Sequence, residues 1–126
     1  MDCVLIDTSV WVNHFRVHNP ALINLLETDA ALIHPMVMAE IACGTPPLRL
    51  TTLSDLNELQ KPQLATLIEV MEFVERERLY GLGCGIVDMI LLVSTIITPN
   101  SKLWTLDKRL LSMSEKFGVL FSPNLH

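Results

Sequence analysis

Three consecutive branched aliphatic residues, Val4, Leu5 and Ile6, are followed at once by Asp7, Thr8 and Ser9. An unbroken apolar run of this kind reads as a strand buried on both faces, the habit of strands inside parallel sheets. Parallel pairing constrains the rest of the chain, because each neighbouring strand must return through a covering crossover, usually helical. In open α/β sheets, chemistry collects at the carboxyl ends of the strands, where side chains and helix N-termini converge. Asp7 stands at such an end. It is placed to hold a cation, and equally placed to cap the following helix, a task suited to Asp, Ser and Thr alike.

The chain in order supplies the crossovers. Val10 to Phe15 reads as a helix with Ser9 as its N-cap, and Pro20 can open a second short helix over 21–26. Ala31 to His34 reads as a second strand closed by Pro35. A short helix over 36–43 follows, stopped by Gly44 and Pro46-Pro47. Glu40 is its only charge. Two helices follow, over about 53–60 and from Pro62 onward, the second with Leu64, Leu67, Ile68, Met71 and Val74 as an apolar stripe. Its acidic and basic residues, Glu69 to Arg78, read as a solvated face. Gly81 to Gly85 reads as a tight connector, since no phosphate-loop spacing is present. Ile86 to Thr98 is a nearly all-apolar helix with Asp88 in its first turn. Lys102 to Thr105 is a third strand, Lys108 to Lys116 a helix, and Gly118 to Phe121 a last strand. The expected architecture is α/β: one domain over residues 1–126, with a parallel sheet of four to five strands flanked by helices.

Composition limits the function classes. Of 126 residues half are apolar and 18% charged, which excludes disorder and suits a surface partly covered by a partner. The net charge of −5 gives no overall footprint for nucleic acid, although Lys102, Lys108, Arg109 and Lys116 make the last stretch modestly positive. Cys3, Cys43 and Cys84 lie in apolar surroundings and read as buried free thiols of a reducing compartment. The longest charge-free run near the middle, Met89 to Ser101, is 13 residues, too short for a bilayer. No signal-like segment precedes the first strand, so a soluble, cytoplasmic protein is expected. His14, His18, His34 and His126 lack metal-ligand spacing and read as structural or exposed. Trp11 and Trp104 read as core.

Asp88 carries the chemical argument. An ionised carboxylate inside Ile86-Val87-Asp88-Met89-Ile90 would cost several kcal/mol if buried unpaired. No Lys or Arg occurs between Arg78 and Lys102 to offset it. The helix N-terminus supplies only about 0.3–1 kcal/mol. Asp7 and Asp107 follow the first and third strands and Glu40 follows the second, so all four acids fall on the carboxyl edge of the sheet. Oxygen-only donors of this kind suit Mg²⁺ or Mn²⁺ rather than zinc. Such an ion turns bound water into a nucleophile for phosphate chemistry, and Lys102, Lys108 and Arg109 would extend a positive path along a phosphate backbone.

The segments Leu5-Ile6-Asp7-Thr8-Ser9, Ala39-Glu40-Ile41-Ala42-Cys43-Gly44, Gly85-Ile86-Val87-Asp88-Met89-Ile90 and Leu103-Trp104-Thr105-Leu106-Asp107 together resemble the PIN-domain family, and within it the VapC-type ribonuclease toxins of toxin–antitoxin pairs. The resemblance runs from one end of the chain to the other. It implies a metal-dependent endoribonuclease with Asp7, Glu40, Asp88 and Asp107 as its acidic cluster, and Ser9 and Thr105 as supporting hydroxyls. It also implies an RNA substrate, a homodimer and inhibition by a VapB-like antitoxin. Arg109 departs from the family pattern, standing where many relatives carry a further acid or His, and bears on a second metal site. The alternative is a non-catalytic PIN-like binding module. A dehalogenase-type phosphatase would need an acid where Ser9 stands.

Overall fold

The computed structural model describes residues 2–123, so His126 lies outside it. Cys3–Ile6 forms β1, and its last three residues are wholly buried. α1 (Thr8–Arg16) and α2 (Pro20–Glu27) carry the chain over one face of the sheet to β2 (Ala31–Leu32). Proline opens α2, where its missing N–H costs nothing, and the Asn19 side chain accepts from the Ala21 and Leu22 N–H groups. α3 (Pro35–Ala42) starts directly after β2, with His34 as its cap: Nδ1 accepts from the Met36 N–H at 3.0 Å. α4 (Arg49–Asn57), α5 (Leu67–Glu77) and α6 (Ile86–Ile97) form the long crossover to β3 (Ser101–Trp104), and α7 (Lys108–Lys116) follows.

β1 lies between β2 and β3, and both pairings are parallel. Leu5 and Leu103 face one another in register, as do Ile6 and Trp104. The core grows from this ladder: Leu5, Leu22, Ile33, Val37, Val70, Leu91, Leu92, Leu103 and Leu110 are inaccessible to solvent. Burying each such side chain contributes about 1.5–3 kcal/mol.

The sheet therefore has three strands, not four to five. The expected last strand over 118–121 is reduced to one bridge, Leu103 with Leu120, because Gly118 turns the chain at φ 72° and only Val119 and Phe121 bond across to Leu103. The opposite edge likewise ends in one bridge, Leu32 with Gln60. β2 is shorter than expected because Pro35 already opens α3 and His34 before it is committed to the cap.

The crossover also differs from expectation. α4 begins earlier, at Arg49, and α5 does not start at Pro62 but at Leu67, set by a reciprocal capping box between Thr66 and Glu69. Residues 61–66 run instead along α6, where the Gln63 and Ala65 N–H groups donate to the Thr98 and Ser94 hydroxyls. This rotates the α5 stripe: Val70 and Phe73 are buried, whereas Leu64, Leu67, Ile68 and Met71 face solvent. The cysteines are free, but Cys43 is exposed and Cys3 and Cys84 only half-buried. No helix among the described residues is long and apolar enough to cross a membrane.

Candidate metal centre

Because Ile6 pairs with Trp104, the next residues of the two strands, Asp7 and Thr105, leave the sheet side by side. The Asp7 N–H still bonds to the Trp104 carbonyl at 2.9 Å. Asp7 is 7% exposed, and its Oδ2 accepts from the Ser9 hydroxyl at 2.7 Å and the Thr105 hydroxyl at 2.8 Å. Asp7 occupies the N-cap position of α1 but makes no capping bond with its side chain. Ser9, expected as the cap, lies one residue inside the helix. Its oxygen also accepts from the Leu106 N–H at 3.0 Å, tying the β3–α7 turn to α1.

Thr105 is buried, and its oxygen accepts in turn from the Asp107 N–H at 3.0 Å. Asp107, not Asp7, is the acid that caps a helix: its Oδ1 accepts from the Arg109 and Leu110 N–H groups, each at 3.0 Å. Glu40 is exposed near the end of α3, and its Oε1 accepts from the Thr8 hydroxyl at 2.6 Å. A pattern emerges among the described residues. On Asp7, Glu40 and Asp107 the protein holds one carboxylate oxygen and gives the other no hydrogen-bond donor.

Asp88, in the first turn of α6, is half-buried rather than interior. Burial, then the charges of Asp107 and Asp7, push its carboxyl above the ordinary range; the Gly85 backbone offsets part of this, and Glu40 adds to the rise. Asp88 thus stands within the field of the other three acids. None of the four has a basic partner in ion-pair contact among the described residues, where Arg76 with Glu77 is the one salt bridge.

The basic residues are distributed differently from expectation. Arg109 is engaged with the glycine connector: its Nη1 donates to the Gly83 carbonyl at 2.9 Å. Lys108 is exposed beside Asp107, in the first turn of α7. Lys102 pairs with Val4 in β3, three residues and about 10 Å before Thr105, so it sits away from the carboxyl edge. Thr8 escaped the sequence reading. The run of two hydroxyls after Asp7 was its signal, because neighbours on a first helical turn point to different partners.

No group of three or more His, Cys, Asp or Glu side chains among the described residues stands close enough to hold a metal ion, so the four acids are near one another but not gathered as a ligand set. Asp7, Glu40 and Asp107 each keep one unclaimed hard oxygen without a counter-charge, donors of the kind Mg²⁺ or Mn²⁺ takes.

No protein-family model matches the chain. Among curated proteins it is similar to ribonuclease VapC32 from two strains of Mycobacterium tuberculosis. It is 40% identical to each over 122 residues, spanning 97% of this chain and 98% of the relative. The chain belongs to the VapC family. Near-complete coverage of both proteins means that the strand-to-acid turns lie within the shared length.

Proposed function

We propose that this VapC family member is a Mg²⁺- or Mn²⁺-dependent endoribonuclease that acts in the cytoplasm as the toxin of a toxin–antitoxin pair, restrained by a VapB-like partner and working as a homodimer. The observation that carries the reading is the set of carboxylates held by one oxygen each around the raised Asp88. Asp7, Asp88 and Asp107 would hold the ion, with Glu40 completing the site directly or through a water. The bound ion supplies an activated water and stabilises charge on the phosphate. Ser9 and Thr105 fix the Asp7 carboxylate so that little reorganisation is needed when the ion and substrate arrive. Sharing 40% identity with a protein named a ribonuclease supports RNA as the substrate.

Incubation of the protein with RNA, with and without EDTA, alongside Asp7→Asn, tests the reading. Cleavage should require the metal and be abolished by the substitution. Cleavage that survives both would overturn the metal mechanism, and failure of any preparation to cut RNA would favour the non-catalytic module.

A further inference from the structure

A cleft of about 480 Å³ opens beside Glu40, walled by Val12, Phe15 and Arg16 of α1, by Ile41 of α3 and by the turn over 44–47. Thr8, Val12 and Arg16 follow at four-residue steps and so share one face of α1. Thr8 is tied to Glu40 at the acidic edge, and Arg16 closes the helix about 12 Å further along its axis. The stripe starts at carboxylates and ends in a cation. Arg16 is exposed and meets no carboxylate at ion-pair distance among the described residues. Phe15, half-buried with its ring centroid 6.3 Å from that of Trp11, adds aromatic surface to the same wall. Pro46 and Pro47 stiffen the opposite side.

The charge order matters. An anion cut at the acidic edge must continue past it; Lys108 stands exposed beside Asp107 on α7, and on α1 the cation beyond that edge is Arg16. A cleft of this size lies in the range that holds small organic groups, a nucleotide among them. We propose that it seats the nucleotide flanking the scissile bond of a single-stranded RNA, with that nucleotide's phosphate on Arg16 and its base against Phe15. This rests on the ribonuclease reading above. Arg16 is then a substrate-binding residue remote from the reacting phosphate, so it governs affinity rather than turnover.

The test has a binding arm and a kinetic arm. In the Asp7→Asn background, binding of a short fluorescein-labelled single-stranded RNA is measured across a salt series. Arg16→Gln should lower the log–log salt slope by about 0.7, the value of one single-strand phosphate contact, and Arg16→Lys should keep it. Phe15→Leu should weaken binding about tenfold without altering the slope. With Asp7 intact, Arg16→Gln should raise KM and leave kcat within about twofold. Salt slope and affinity equal to those of the parent would overturn the assignment, as would a fall in kcat at constant KM. Unchanged RNA binding with lost inhibition by the antitoxin would also overturn it, giving the cleft to the protein partner. Since the binding arm needs no cleavage, an enzyme that fails to cut RNA but shows the slope change refutes only the catalytic reading.

Discussion

Thr105 joins two of the four acids, and its removal should be costly. Its hydroxyl donates to Asp7 at 2.8 Å and accepts from the Asp107 N–H at 3.0 Å, in a position 2% exposed. Thr105→Val keeps the shape and loses both bonds. A hydrogen bond to an ionised group is worth about 1.5–3 kcal/mol, and a donor left without a partner costs about 1–3 kcal/mol when fully buried. Ser9 still holds Asp7, and Asp107 is exposed, so the lower halves of these ranges apply. The sum is about 2–4 kcal/mol. For a chain of 126 residues that lowers the melting temperature by about 8–15 °C. Thr105→Ser retains the hydroxyl and gives up one methyl, about 1 kcal/mol. Urea unfolding of the three proteins in EDTA reads these differences at constant m-value. A loss below about 0.5 kcal/mol for Thr105→Val, or equal losses for the two variants, would show that the Thr105 hydroxyl does not hold the two acids.

Three more outcomes follow from the same geometry. Asp88 has a raised carboxyl pKa, so its neutral form is the one the fold tolerates; that advantage is present at acid pH and lost as pH rises through the elevated value. In chelator at neutral pH, Asp88→Asn should therefore melt above wild type, by only a few degrees because the half-exposed charge is screened, with the gap closing in acid on a calorimetric scan. Thr8→Val frees the Glu40 carboxylate at an exposed position, so stability should move by less than about 1 kcal/mol while kcat/KM falls at least about tenfold, with Thr8→Ser restoring it. Gly83→Ala places a side chain at φ 89° with its Cβ 2.9 Å from the Arg109 guanidinium carbon, and should destabilise by about 1–3 kcal/mol in urea titration.

The strand-to-acid turns were legible because buried parallel strands write their own local signature: Val4-Leu5-Ile6 before Asp7, and Leu103-Trp104 before Thr105. The helix over Lys108–Lys116 was read with its observed bounds, helped by the Asp107 cap. The start of α5 was not, for a physical reason. Pro62 favours the first turn of a helix, but the Ser94 and Thr98 hydroxyls on α6 capture the chain after it, and that contact has no local trace. The capping box at Thr66 and Glu69 was the stronger signal. The sheet edges were overcounted because an apolar run shows that a segment can pair, not how many ladder bonds it makes. At the site, spacing could place Asp7 and Asp107 after their strands but could not show which acid caps a helix. Nor could it show that Arg109 spends a donor on Gly83.

Titration calorimetry with Mn²⁺ on the metal-free protein reads whether these carboxylates form a cation site. Binding should be saturable at millimolar metal or below, lost in Asp7→Asn and weakened, with the fold intact, in Asp107→Asn. An absence of binding heat from wild type at millimolar Mn²⁺, or the same isotherm from Asp7→Asn, would contradict a cation site at these carboxylates.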